Sequence, residues 1–141
     1  MTRYILIDTG AIYAFVTRTD VHHHAAQAFM REVLESGGVF VLADFIFAET
    51  MTLLKARLGA SIALRVGHEL RQHHAVYQWV ALGQDGEADT WAMFRQYHDK
   101  EWSYFDCALL MLAQRLKIHE VFAFDGHFRQ MPGIIQLPTS A

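Results

Sequence analysis

The stretch Ile5–Phe15, I-L-I-D-T-G-A-I-Y-A-F, decides the fold. The run Tyr4–Ile7 is apolar and rich in β-branched and aromatic residues, which reads as a short buried strand. Asp8 closes it, Thr9 and Gly10 turn the chain, and Ala11–Val16 continues as an apolar helical segment. A strand that passes straight into a helix opens an α/β unit. An acid at that junction lies at the C-terminal edge of the sheet, where open α/β sheets form their ligand crevices.

Outward from this unit, the same alternation recurs. Val39–Leu42, Val76–Val80 and Glu120–Phe124 read as further buried strands, with a weaker one at Ile134–Leu137. Between them, Ala25, Phe29 and Val33, then Ile62, Val66 and Leu70, fall at helical spacing. Asp44 is placed to open a helix and Gly59 to close it. Ser103 with Asp106 three positions on has the form of a capping box. The expectation is an α/β protein with a central, mainly parallel sheet of four to five strands flanked by helices, residues 1–141 forming one domain.

Composition narrows the function classes. The chain has 141 residues, 52% hydrophobic and 19% charged, with 2 Pro and 9 Gly, which excludes a collagenous or low-complexity chain. A net charge of −3 argues against a broadly basic coat for nucleic acid, so a phosphate-bearing partner has to be met locally or through a bound cation. The one cysteine, Cys107, excludes an internal disulfide and a multi-cysteine zinc site, and its apolar flanks predict a core position. The apolar run at the N-terminus is too short for a signal sequence, and no window approaches the ~20 apolar residues of a membrane span. A soluble, cytoplasmic protein is expected.

Four acids share one sequential frame: Asp8 at a strand end, Glu49 in the second turn of a helix, Asp106 at a helix start and Asp125 at a strand end. Taken singly, each has an ordinary use open to it. Asp8 and Asp125 could form turns or cap helices, Asp106 could cap, and Glu49 could lie on a solvated helix face. Taken together in one cleft, they would repel each other and raise one another's pKa unless a cation neutralised them. Hard oxygen ligands select Mg²⁺, with Mn²⁺ as a substitute, over zinc.

The frame resembles the PIN-domain family, especially the VapC-like ribonuclease toxins of toxin–antitoxin pairs, over nearly the whole chain. Ile5–Phe15 is similar to the family's opening strand and first acid, Thr19–Ala26 (T-D-V-H-H-H-A-A) to its D-x-x-H-x-x-A segment, and Phe45–Leu54 to its second motif with Glu49. Trp91–Met111 is similar to the third motif, with Ser103 and Asp106, and Phe122–Phe128 (F-A-F-D-G-H-F) to the fourth, with Asp125. At position 123, where many relatives carry Thr or Ser, this chain has Ala123.

The resemblance implies a three-layer PIN-like fold and Mg²⁺-dependent endonucleolytic cleavage of RNA by a metal-activated water, leaving a 5′-phosphate and a 3′-hydroxyl. It assigns Asp8, Glu49 and Asp106 to the principal ion, Asp125 to the acidic ring or a second ion, and Ser103 to orienting a carboxylate or a water, against a plain capping use. It also implies a homodimer and an antitoxin that reaches the acids, for which Arg is the natural side chain.

Other features read more simply. His22, His23 and His24 are consecutive, about 100° apart on a helix, and cannot easily converge on one ion; they read as a segment leading into a helix near the cleft rim. His73 and His74 read as a helix end. His127, two residues past Asp125, reads as structural, with phosphate contact the alternative. Trp91, Phe94 and Tyr97 read as core packing rather than base stacking. Arg18, Lys55, Arg57 and Arg129 are candidates for phosphate contact or plain solvated charges. The helices bearing Val33, Leu54 and Leu58 are apolar enough to leave partner surface. D-T-G also occurs in all-β aspartic proteases, which the helical segment after Gly10 argues against. The rivals are a non-catalytic PIN-like module that binds RNA or protein, and a metal-dependent phosphatase.

Overall fold

The computed structural model describes residues 1–139. In chain order the elements are β1 (Tyr4–Ile7), α1 (Thr9–Val16), α2 (His23–Glu35), β2 (Val39–Ala43), α3 (Asp44–Leu58), α4 (Ala60–Gln72), β3 (Tyr77–Val80), α5 (Gly83–Gln96), α6 (Tyr104–Leu116), β4 (Glu120–Phe122) and β5 (Ile135–Leu137), with a 3₁₀ turn at Gly126–Gln130. The five strands form one sheet in the order β3-β2-β1-β4-β5, and every pairing is parallel. Six helices flank it, as the alternation of strands and helices requires.

The centre of the sheet reads as continuous apolar runs because both faces are covered. Ile5, Leu6, Ile7, Phe40, Leu42 and Phe122 are wholly buried. Phe122 meets Phe29 at 4.9 Å and Phe40 at 5.6 Å between ring centroids. Burying such a ring is worth about 1.5–3 kcal/mol, so β4 is fixed against α2 and, across its neighbour β1, against β2. Arg3 and Glu120 add a two-pronged ion pair at the opposite end of the same strands, 3.0 and 2.7 Å.

β1 lies at the centre, paired with β2 on one side and β4 on the other. The chain therefore departs from β1 and β4 at one edge, where the strand order reverses, and the crevice expected of such a sheet opens there. Gly59 sits at φ +94°, a conformation L side chains rarely adopt, and this breaks α3 from α4 where the sequence places a stop.

Several expectations need correction. The fourth strand ends at Phe122 rather than Phe124, so Asp125 sits on the connecting loop, three residues past the strand. β3 begins at Tyr77, one residue after Val76. On α2 the buried stripe is Ala26, Phe29, Met30 and Val33, and Ala25 faces out. Val33 and Leu54, fully buried, mark the inward faces of α2 and α3, and Leu58 is half-buried.

Trp91 and Phe94 are exposed, not core. The inward face of α5 instead runs through Gly86, Thr90, Met93 and Tyr97, spaced four, three and four, and Trp91 and Phe94 fall beside that stripe. A Cβ at Gly86 would lie 3.0 Å from Leu82 and 3.1 Å from Met111, so this glycine lets α5 approach α6 closely. Cys107 is buried within α6, as expected, and its surroundings raise its pKa. No helix among the described residues is long and apolar enough to cross a membrane.

Candidate active site

Asp8 is held between sheet and helix. Its N–H donates to Phe122 O at 3.0 Å, and its own carbonyl accepts from Ala11 and Ile12 at the start of α1. It occupies the N-cap position, and its carboxylate lies near the Thr9 and Gly10 amides without closing a full capping bond. The side chain lines a cleft of ≈ 240 Å³ together with Thr9, Gly10, Glu49, Ser103, Phe105, Asp106 and Asp125. All four sequence-selected acids and Ser103 thus face one space.

Glu49 reaches this space from the second turn of α3. The Thr9 hydroxyl donates to Glu49 Oε1 at 2.6 Å, and Thr50 Oγ1 donates to Thr9 Oγ1 at 3.2 Å. Thr9 and Thr50 are both buried, so this relay fixes the glutamate from the protein side. Thr9 drew no attention in the sequence beyond its place in D-T-G.

Asp106 is buried at the first turn of α6, inside a complete capping box. Its N–H donates to Ser103 Oγ at 3.0 Å, and its Oδ2 accepts the Ser103 N–H at 2.9 Å. The capping use expected of Ser103 is therefore present, and it aims the Asp106 carboxylate. The same Oδ2 lies 3.1 Å from His127 Nδ1.

Asp125 opens the 3₁₀ turn. Its Oδ1 accepts the His127 N–H at 3.0 Å and lies 3.3 Å from His127 Nδ1. Gln136, on β5, donates through Nε2 to Ala123 O at 3.0 Å and Asp125 O at 2.8 Å, which ties the acid-bearing loop to the sheet edge. Ala123 itself is buried and brings no hydroxyl to the site.

His127, read from sequence as structural, is drawn into the site. Asp106, Asp125 and His127 can each offer one ligand atom, and these lie within 4.8 Å of one another. The group differs from the expected principal set of Asp8, Glu49 and Asp106. Asp8 and Glu49 line the same cleft, but the tight triple joins Asp106 to Asp125 and an imidazole. The signal available in the sequence was the i, i+2 spacing of Asp125 and His127, which lets a turn fold both toward one point.

The electrostatics are those of crowded acids. Burial, then the charges of Asp106 and Glu49, push the Asp8 carboxyl up to about 7, against only partial relief from the Thr9 and Gly10 amides. The hydrogen bond to Asp106, with the Asp125, Asp106 and Glu101 charges, holds His127 above its usual value. Among the described residues that line the cleft there is no Lys or Arg. Arg18 and Lys55 line other hollows, and Arg57 lies over the Tyr13 ring. A cleft of crowded acids with no Lys or Arg among its described lining residues fits a divalent cation, whose charge relieves the repulsion. The carboxylate oxygens are hard donors of the kind that hold Mg²⁺, Ca²⁺ or Mn²⁺, and the imidazole is a softer donor that adds no preference for Mg²⁺.

The histidine run divides as its spacing requires. His23 is buried with Nδ1 2.9 Å from Ala14 O, His22 stacks on Phe124 at 4.4 Å, and His24 is exposed. His73, at the end of α4, pairs with Glu69.

Residues 5–134 match the PIN domain family. A VapC ribonuclease of Archaeoglobus fulgidus is 31% identical over 127 residues, covering 87% of this chain and 78% of the relative. The 23S rRNA-specific endonuclease VapC20 of Mycobacterium tuberculosis is 26% identical over 129 residues, covering 88% and 91%. The crystal structure of that sarcin-ricin loop cleaving toxin superposes with a TM-score of 0.79 at 23% identity, covering 91% of this chain and 95% of that one. A toxin–antitoxin complex from Klebsiella pneumoniae superposes with a TM-score of 0.62 at 17% identity, covering 93% and 95%. With a parallel five-stranded sheet, four acids gathered at its reversal point and a family match over nearly its whole length, the chain belongs to the PIN-domain family and is a homologue of the VapC ribonucleases.

Proposed function

We propose that this chain is a single-domain, divalent-metal-dependent endoribonuclease, the toxin of a toxin–antitoxin pair acting in the cytoplasm. The observation that carries the reading is the gathering of Asp8, Glu49, Asp106 and Asp125 in one cleft that lacks a cationic side chain among its described lining residues. The relatives named as ribonucleases supply the substrate class.

Asp8, Glu49, Asp106 and Asp125 would hold the ion, with His127 on the Asp106–Asp125 side. Mg²⁺ is the expected ion and Mn²⁺ a substitute. Bound there, a divalent cation supplies charge stabilisation at a phosphoryl oxygen and lowers the pKa of water. The chain's own residues set the geometry. Thr9 orients Glu49, Ser103 aims Asp106, and Gln136 holds the loop of Asp125. Pre-set carboxylates need no reorganisation when the phosphodiester arrives.

The same negative cleft invites an antitoxin that inserts a cation, and Arg is suited because it pairs with two carboxylate oxygens at once. A second copy of the chain is the other expected partner. The similarity to a toxin–antitoxin complex supports the antitoxin.

The deciding experiment incubates the purified, inhibitor-free protein with structured RNA, single-stranded DNA and a phosphomonoester, in Mg²⁺ or EDTA. RNA cleavage that needs Mg²⁺ and fails in Asp106→Asn is the expected result. Cleavage that persists in EDTA sinks the metal mechanism. Cleavage of the monoester alone favours the phosphatase, and no cleavage of any substrate favours a binding module.

A further inference from the structure

Beside the acids, the cleft carries an aromatic ring that the core does not use. Phe105 follows Tyr104 at the start of α6 and immediately precedes Asp106; it is 41% exposed, yet it lines the acid cleft. The residues after it, from Asp106 to Ala113, are buried. Phe105 is not among the apolar residues packed against the core, whereas Phe45 is. The two rings stack, centroids 6.2 Å apart and planes 20° from parallel.

Phe45 is itself firmly placed. It stands four residues before Glu49 on α3, hence on the same helical face one turn earlier. Asp44 Oδ1 accepts the Phe45 N–H at 2.8 Å and the Leu82 N–H at 3.1 Å, which pins this helix start to the loop before α5. Each aromatic thus stands near an acid on its own helix, Phe45 one turn before Glu49 and Phe105 immediately before Asp106. Together they form a backed ring at the mouth of the site.

We infer that Phe105, supported by Phe45, is a stacking platform for an unpaired base of the RNA substrate next to the phosphate held at the acids. The inference rests on the ribonuclease reading and names how that site grips its substrate. A nucleotide offers two handles, a charged phosphate and a flat base. The cleft is acidic, and among the described residues lining it none is a Lys or Arg that could grip phosphates directly. The chain as a whole is at −3. Beyond the cation held at the acids, affinity then draws on a term that needs no charge, and base–aromatic stacking is such a term. Every base has a π-face, so the platform favours a single-stranded nucleotide without choosing its identity. Sequence choice lies elsewhere in the cleft.

The test compares wild type with Phe105→Ala, Phe105→Leu and Phe105→Tyr on a short single-stranded RNA in Mg²⁺. Phe105→Ala and Phe105→Leu are expected to raise KM about tenfold, with kcat little changed, and Phe105→Tyr to keep the wild-type KM. In parallel, 2-aminopurine placed beside the cleavage position is expected to be quenched by wild type and Phe105→Tyr and left bright by the other two. Rescue by Leu as well as Tyr would show that only apolar bulk matters and would overturn the platform. So would a Phe105→Ala protein with unchanged KM but altered sedimentation, which would assign the ring to a protein–protein contact. If wild type cuts RNA and all variants match it, stacking fails while the ribonuclease reading stands. If wild type cuts nothing, that reading fails, and absence of quenching then overturns the platform as well.

Discussion

The Thr9 hydroxyl donates a 2.6 Å hydrogen bond to Glu49 Oε1, joining the residue after β1 to the second turn of α3 across 40 positions of sequence. Thr50 in turn donates to Thr9, so the hydroxyl's own lone pair is used and its proton is committed to the glutamate. Glu49 therefore enters the cleft with one oxygen oriented and the other available to a cation.

Removing this orientation without removing the acid separates positioning from chemistry. Thr9→Val keeps the shape of the side chain but cannot donate. Partners behind metal ligands typically cost about 10- to 100-fold in metal affinity or activity when lost. The Mg²⁺ concentration for half-maximal RNA cleavage is expected to rise at least about tenfold, with the fold intact by circular dichroism. An unchanged Mg²⁺ titration would show that Thr9 serves packing alone.

Asp8 sits at the other extreme, an acid whose surroundings oppose its charge. Asp8→Asn removes that charge and keeps the shape. Cleavage is expected to fall by on the order of a hundredfold or more, as when an electrostatic element of a site is deleted. In EDTA the variant should nonetheless melt higher than wild type, by about 4 °C for each kcal/mol of repulsion relieved in a domain of this size. Calorimetry with and without Mg²⁺ checks both halves. A variant that melts lower in EDTA would refute the repulsion.

Three of the acids were legible because they stand at punctuation marks of the chain, Asp8 before a helix, Asp106 three residues after Ser103 and Asp125 before Gly126, and Glu49, inside a helix, only through its place in the same frame. The parallel sheet was legible from runs such as Ile5–Ile7, apolar on both faces. What escaped the sequence depends on approach in space. Thr9 and Thr50 are ordinary hydroxyl residues until α1 and α3 pack. Gln136 matters because β5 pairs with β4, and His127 because the strand stops at Phe122 and the chain then folds through a 3₁₀ turn at Gly126–Gln130. Trp91 and Phe94 were misplaced because aromatic spacing of three marks a helical face without saying which face is inward; small residues, Gly86 and Thr90, took the inner one.

Ser103 has two uses open to it, and one substitution tells them apart. Ser103→Ala removes the hydroxyl that accepts the Asp106 N–H, and loss of such a cap costs about 1 kcal/mol. The backbone N–H of residue 103, which holds Asp106 Oδ2 at 2.9 Å, survives the change. Stability should therefore fall by about 1 kcal/mol while cleavage drops less than about tenfold. A loss of activity comparable to that of Asp106→Asn would instead place the hydroxyl at the reacting centre.

The last expectation concerns pH and metal together. Asp8 in the folded, metal-free protein is pushed up to about 7, far above an unfolded carboxyl, so between those values the folded chain holds the extra proton. The unfolded state binds fewer protons there, and stability declines as pH rises toward 7. His127 acts in the same sense. Its folded pKa is raised, so the stability it contributes is present at low pH and is lost as pH climbs through that value. Both groups predict that the metal-free protein weakens from mildly acid to mildly alkaline solution. A divalent cation inverts the trend, because it binds the deprotonated acids and competes with their protons. The rise in Tm on adding Mg²⁺ should therefore be larger at about pH 8 than at about pH 6, and the profile in EDTA should slope downward over the same range. In Asp8→Asn both the downward slope and the pH dependence of the Mg²⁺ effect should shrink, leaving the part due to His127; a wild-type profile in EDTA that rises with pH would mean that Asp8 is ionised in the folded state at no cost.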